Sequence, residues 1–477
     1  MSLPEAALHA VEGQRCLVIE PLYQTPAVET GLEVAEILAR KNTVTYLGPD
    51  RLGCTNDDLY RFTGRMLIRL SRKRRVSSYV AGGVEAMPRA TLRRHLKGIN
   101  PAQLEGFLDD HASDLASAHY ERFDVGQSLR SSLISLTRDT ATAIDPRDDF
   151  TRRLALDALR LYELTRVLIR ELGLDLVVLF NGRLAPVRAI RRACEATDTR
   201  YWVHERGATL DKFALYDQAT PHLPAKYRGW VDTWWDLADD GVATAEAFLA
   251  RRRRGAPTNW FVFTRSQEPG AIPERDGRRR VVFFTSSEDE MAAIGDELAP
   301  DSPLCVQATA IREVGLACRR AGHELVVRFH PNTPASEERL MRSAHEVADT
   351  VCEPQSQVDT YALMDSADVV FTHNSTAGLE AAATGRPTFT TGRNIFEGCT
   401  SMRRLLSATE IDDALASTES PDRIDSLRYL NYLADHGIAY RSYEPRGFIS
   451  GTYRGKDLNA PLSTLRDWRV RWKRGGR

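Results

Sequence analysis

Residues Asp368-Val-Val-Phe-Thr-His-Asn-Ser-Thr-Ala-Gly-Leu-Glu-Ala-Ala-Ala-Thr-Gly-Arg-Pro-Thr-Phe389 read as strand, turn, helix and strand. Asp368-Val-Val-Phe371 is apolar and of strand length. Ser375 and Thr376 are short hydroxyl residues where a helix begins, and the next strand starts at Thr388-Phe389. Strand–helix–strand is the unit of a parallel sheet, because parallel neighbours need a crossover.

The same unit recurs outward. Upstream stand a strand at Val281–Phe284, a helix near 306–320, the strand Leu325–Phe329 and helices near 335–346 and 359–366. Breaks at Arg251–Pro257 and Glu268–Gly277 precede this series. An earlier series has strands at Cys16–Ile19 and Thr43–Leu47 around a helix carrying Val28, Leu32 and Leu38. After mainly helical, polar residues 55–170, strands Asp175–Phe180 and Tyr201–His204 flank a helix near 186–197. Uninterrupted apolar strands of this kind are buried on both faces. A last helix, near 421–435, carries Ile424, Leu427, Leu430 and Leu433. The expectation is an α/β chain with two parallel-sheet, Rossmann-like domains. Residues 1–260 form the first and 278–415 the second, with 421–477 a helix and tail.

Composition agrees. The chain has 477 residues, 42% hydrophobic and 27% charged, a globular composition too long for one core. No apolar run approaches the ~18 residues of a membrane span. The N-terminus shows no secretory pattern, and seven scattered cysteines fit neither a disulfide framework nor a zinc site. A cytoplasmic location is expected. A net charge of −1 argues against bulk nucleic-acid binding. The average hides a basic stretch over residues 61–100, from Arg61 through Arg72-Lys-Arg-Arg75 to Lys97, against one acid, Glu85. It reads as a solvated face or as a contact for anionic lipid or polymer.

Ligands of such sheets sit beyond the carboxyl ends of the strands. In the second half those ends read Thr285-Ser286-Ser287, His330-Pro331-Asn332 and Thr372-His373-Asn374-Ser375-Thr376-Ala377-Gly378. Small hydroxyls, histidines and asparagines suit a phosphate. The helix start at Ser375 adds free N–H groups and a positive helix end. Gly378 would let a ligand approach, and Glu380, one turn beyond Thr376, could take a ribose diol. In the first half the strand ends carry Glu20, Asn181-Gly182-Arg183 and His204-Glu205-Arg206-Gly207. Glu205 or Glu20 could serve as a general base. Glu205 could equally be ion-paired with Arg183 or Arg206, and His204 and His222 are weaker candidates. No Asp-x-Asp follows an apolar strand of the second half, so no metal is expected.

The stretches Arg328-Phe-His-Pro-Asn332, Asp359–Asp368 and His373–Pro387 resemble bacterial capsular-polysaccharide biosynthesis glycosyltransferases, which include the Kdo transferases of capsule assembly. The resemblance covers roughly residues 281–397. It implies a GT-B fold, two facing Rossmann-like domains with the nucleotide-sugar donor bound by the second. The final helix would cross back to the first. It also implies His330, Ser375 and Thr376 at the donor phosphate and Glu380 at the ribose. Glu205 fits the position of that family's acidic-x-Gly base, although Arg206 departs from its usual acidic pair.

The full expected donor-side set is Ser286, Ser287, Arg328, Asn332, His373, Ser375, Thr376, Gly378 and Glu380, with Glu205 and His330 catalytic. The expected function is metal-independent transfer of a sugar from a CMP- or UDP-linked donor to a surface or capsular glycan, free or lipid-linked. It would take place in the cytoplasm, peripherally at the inner membrane face. A nucleotide-sugar 2-epimerase, a polyol-phosphate transferase and a non-enzymatic glycan- or lipid-binding scaffold are the alternatives.

Overall fold

The computed structural model describes residues 5–54, 76–256, 267–333 and 337–458. The chain divides into two units, one of residues 1–221 and 436–477, the other of residues 222–435.

Strands β1 (Arg15–Ile19), β2 (Thr43–Leu47), β3 (Val84–Ala86), β4 (Leu176–Phe180), β5 (Arg200–Arg206) and β6 (Lys212–Asp217) belong to the first unit. They lie in the order β6-β5-β4-β1-β2-β3. The first five are parallel, and β6 runs antiparallel to β5. The five residues of β4, Leu-Val-Val-Leu-Phe, are all buried, as expected of a central strand covered on both faces. On one face Val18, Val178 and Trp202 pack with Val28, Leu32 and Ala35 of the helix Ala27–Leu38. Each such aliphatic side chain contributes about 1.5–3 kcal/mol by leaving water.

The second unit holds β7 (Arg280–Phe284), β8 (Glu324–Arg328), β9 (Thr350–Cys352), β10 (Val369–Thr372), β11 (Thr388–Thr390) and β12 (Arg403–Arg404), in the order β12-β11-β10-β7-β8-β9. Every pairing in this sheet is parallel. Phe371 sits between Phe283 and Phe389, with ring centroids 6.4 and 5.6 Å away. These rings anchor the three central strands in one core.

The division falls at Pro221/His222 rather than within the 251–277 breaks. Helices Pro224–Leu237 and Gly241–Arg253 belong to the second unit, not to a first domain reaching residue 260. Aromatic packing explains the shift, because Tyr227 meets Phe396, Tyr429 and Tyr432 at centroid distances of 5.9, 6.1 and 5.3 Å. Apolar content alone does not reveal which neighbour such a helix chooses. The last helix, Arg423–Asp435, also stays in the second unit, and the chain re-enters the first at His436. There β13 (Ile438–Ala439) pairs antiparallel with β6 and completes a seven-stranded sheet. A hairpin of β14 (Tyr443–Gly447) and β15 (Ser450–Tyr453) follows.

Candidate functional site

In each sheet the first and fourth strands in sequence lie side by side, and connections leave them in opposite directions. That is the topological switch point, where a crevice opens beyond the carboxyl ends. It falls between β1 and β4 in the first unit and between β7 and β10 in the second.

In the second unit the β7 end is the hub. Thr285 Oγ1 accepts the backbone N–H of His330, beyond β8, at 2.7 Å. Ser286 Oγ accepts the backbone N–H of Asn374, beyond β10, at 3.0 Å. The Ser286 N–H is in turn held by Gln307 Oε1 at 2.7 Å. Two hydroxyls of one loop thus fix the ends of both neighbouring strands. Thr285 was read with Ser286 and Ser287 as a strand-end triplet but left out of the expected donor-side set.

His330 is largely buried, and burial pushes its ring pKa down to about 4. Its Nδ1 accepts the Asn332 backbone N–H at 3.1 Å. A neutral ring accepting at Nδ1 carries its proton on Nε2. Asn332 itself is exposed. Ser375 caps the helix Thr376–Ala383, its Oγ accepting from the Ala377 N–H at 3.2 Å, while its own N–H goes to Thr372 Oγ1 at 3.1 Å. The half-buried Thr376 hydroxyl has no protein partner among the described residues. Asn374 Oδ1 is buried and also lacks one.

Five further residues of the expected donor-side set are also engaged in the fold. Arg328 is buried, and Nη1 and Nη2 donate to the Glu353 and Ser356 carbonyls at 2.8 and 3.4 Å. Burial pushes its pKa down. Ser287 Oγ donates to Asp289 Oδ1. His373 is buried with Nδ1 3.0 Å from Thr391 Oγ1, and burial pushes its pKa down to about 4. It braces β10 against the β11 end. At Gly378 a Cβ would lie 2.6 Å from Thr372 Cγ2 and 2.9 Å from Met402 Sδ, so the missing side chain serves internal packing rather than ligand approach. Glu380, expected at a ribose, is 2% exposed and accepts from Arg252 Nε at 2.7 Å. The i+4 spacing does place it one turn beyond Thr376, but the partner it meets there is Arg252, which sequence spacing did not reveal.

In the first unit the candidate bases separate by access. Glu20 is fully buried, with Oε1 2.5 Å from Nε2 of the equally buried His204. Burial pushes the Glu20 carboxyl up, and the histidine beside it pulls it back. An enclosed carboxylate has no route to an acceptor hydroxyl. Glu205, at the end of β5, is half-buried. Its Oε2 accepts from Asn181 Nδ2 at 2.8 Å and its Oε1 from the Arg206 backbone N–H at 3.0 Å. The Arg206 guanidinium instead donates to the Thr25 carbonyl at 3.2 Å and lies 3.8 Å over the Phe448 ring. His222 belongs to the second unit.

Among the described residues no group of three or more His, Cys, Asp or Glu could hold a metal ion. No described helix is long and apolar enough to cross a membrane.

Two doubly wound α/β units in one chain, each built on a parallel sheet with this strand order, define the GT-B class of fold. No protein-family model matches the chain, and no curated protein matches it in sequence. Among solved structures, it is similar to KpsC of Thermosulfurimonas dismutans, a β-Kdo 2,4 transferase, at 16% identity and a TM-score of 0.31, over 54% of this chain and 88% of that one. It is also similar to the UDP-GlcNAc 2-epimerase of Neisseria meningitidis, at 10% identity and a TM-score of 0.27, over 88% and 94%. The glycosyltransferase SnogD of Streptomyces nogalater matches at 12% identity and a TM-score of 0.21, over 89% and 100%.

Proposed function

We propose that this chain is a glycosyltransferase that moves a sugar from a nucleotide sugar to a glycan acceptor. The observation that carries the reading is the β7 hub. Thr285 and Ser286 bind the ends of β8 and β10, and a neutral His330 with its proton on Nε2 stands at the same switch point. A neutral donor beside the start of the helix Thr376–Ala383 suits an anionic leaving group. The Thr376 hydroxyl and the buried Asn374 amide oxygen supply further polar contacts. In the first unit Glu205 takes the proton of the acceptor hydroxyl. That oxygen bonds to the anomeric carbon, the bond from that carbon to the phosphate oxygen breaks, and the nucleotide leaves with the electron pair. A CMP- or UDP-linked donor and a surface or capsular acceptor, free or lipid-linked, follow from the resemblance of residues 281–397. A position at the inner membrane face follows from the basic stretch.

The test is a panel of CMP- and UDP-linked sugars, with and without oligosaccharide acceptors. Acceptor-dependent release of nucleotide is expected, and His330→Ala should lower it about 10²-fold, the scale of losing one donor to a developing charge. Unchanged turnover in that variant removes His330 from the site. Isomerisation without acceptor identifies an epimerase, transfer of a phosphopolyol identifies that class, and binding without turnover identifies a scaffold.

A further inference from the structure

Asn181 closes β4 at the switch point of the first sheet, in a conformation that few residues tolerate. Its φ is 58° and that of Gly182 is 70°, two consecutive left-handed residues. Asparagine is one of the few side chains that enter this region readily. Strained backbone of this kind concentrates at functional sites. The residue is buried, and both ends of its amide are hydrogen-bonded. Oδ1 accepts the Arg183 N–H at 3.2 Å, and Nδ2 donates to Glu205 Oε2 at 2.8 Å across two strand ends. The Asn181 backbone N–H is itself bound to the His204 carbonyl at 2.9 Å, which locks the two strand ends in register.

We propose that Asn181 is the positioning residue for Glu205, holding its carboxylate oriented for general-base work. This rests on the reading of Glu205 as the base. The two oxygens of Glu205 receive one donor each, Asn181 Nδ2 and the Arg206 N–H. A carboxylate accepting hydrogen bonds gives up its proton more readily than a bare one. Two guanidinium-bearing residues flank it as well. The Arg206 guanidinium lies beside it, the Arg183 guanidinium donates to Ser135 Oγ, and the register partner on β6 is uncharged Ala214. Asn181 Nδ2 is the side-chain donor that ties Glu205 to the neighbouring strand end.

Carbodiimide coupling to an amine reads the contact directly, because only the protonated carboxyl reacts. Trypsin releases Tyr201-Trp-Val-His-Glu-Arg206, whose one acidic side chain is Glu205. Mass spectrometry of that peptide then gives the pH midpoint of Glu205 in the folded full chain without any substrate. Asn181→Asp keeps a residue that tolerates the left-handed backbone but replaces the donor by a like charge. Its midpoint should rise by about one pH unit or more. Asn181→Gly keeps the backbone and deletes only the amide, so it gives a smaller rise and remains readable if the Asp variant misfolds. An unmoved midpoint in both variants overturns the proposal. Turnover of Glu205→Gln tests the base assignment separately. If that variant keeps wild-type turnover, the base reading falls and the positioning role falls with it. If it is inactive while the midpoints stay still, only the role of Asn181 is lost.

Discussion

Arg252 Nε donates to Glu380 Oε1 at 2.7 Å, joining the helix Gly241–Arg253 to the helix that starts at Thr376. Glu380 is buried, and Arg252 is four-fifths so. Tyr361 joins the pair through its hydroxyl, and burial together with Glu380 pushes the tyrosine pKa well up. The next residue, Arg253, forks onto Asp365 at 2.6 and 2.8 Å.

Removing one member of such a pair leaves an uncompensated charge in a poorly solvated place. Glu380→Ala should therefore cost about 3 kcal/mol in the stability of the second unit. Replacing both partners, as in Arg252→Met with Glu380→Leu, should cost much less. Denaturant titrations of the three variants check this. If Glu380→Ala instead left stability intact and weakened nucleotide binding, the carboxylate would belong to the ligand site after all.

Gly378→Ala adds one methyl group to a place that lacks room for it. With Thr372 Cγ2 at 2.6 Å and Met402 Sδ at 2.9 Å, the helix must shift away from β10. Overpacking of this kind costs about 1–3 kcal/mol. The same shift moves Thr376 and Asn374, so nucleotide affinity should fall along with stability. Equal melting temperatures in mutant and wild type would show that the contact relaxes without strain.

The sequence was most legible where the polypeptide repeats a simple period. The apolar runs of β4, β7 and β10 announced buried parallel strands; the hydroxyls at the ends of β7 and β10 were read as phosphate contacts, and their bracing of neighbouring strand ends was not legible. Partners distant in sequence were not legible. Nothing near Glu380 signals Arg252, which is 128 positions away. Nothing near Arg328 signals the carbonyls it would satisfy. The short edge strand β3 and the antiparallel β6 also escaped. A three-residue strand carries no period, and Lys212-Phe-Ala-Leu-Tyr-Asp217 lacks the flanking turn signals that mark an αβ unit. Asn181 was visible only as part of an Asn-Gly pair after a strand. Its link to Glu205 needed the register of β4 on β5.

The two buried histidines set a pH dependence in the second unit. Burial lowers the folded-state pKa of both His330 and His373 from 6.5 to about 4. Between those values the unfolded chain binds protons that the folded chain refuses, so stability falls as pH drops from 6.5 towards 4. The slope is about 1.4 kcal/mol per pH unit for each ring. Hydrogen exchange at β8 and β10, corrected for its intrinsic pH dependence, should report weaker protection at pH 5 than at pH 7. His330→Ala should remove the share of that slope due to one ring. In the first unit Glu29 acts with the opposite sign. Burial raises its carboxyl from 4.5 to about 8, so its contribution is present in acid and lost as pH rises through 8. Identical pH slopes in the two sheets would contradict both assignments.

The basic stretch yields the last prediction. Arg61, Arg65, Arg69 and Arg72–Arg75 lie outside the described residues. The remainder lies on the helix Arg89–Lys97, anchored by buried Leu92 and by His95, whose Nδ1 is 2.8 Å from Glu171 Oε2. Arg89, Arg93, Arg94 and Lys97 are all exposed, and among the described residues none has a carboxylate partner. Like charges this close repel one another, and an anionic surface relieves that cost. Each basic side chain near such a surface adds about 1 kcal/mol, screened over a Debye length. Vesicles containing anionic phospholipid should therefore bind the protein at low salt and release it at high salt, while neutral vesicles should not bind it. Reversing Arg89, Arg93, Arg94 and Lys97 to Glu should weaken that binding by 10²-fold or more, as expected for four such contacts at about 1 kcal/mol each. Nucleotide binding in the second unit should be untouched. Unaltered vesicle binding in the reversed protein would exclude this helix as the contact. Competition by a soluble acidic oligosaccharide on the same four residues would make the surface a glycan contact instead.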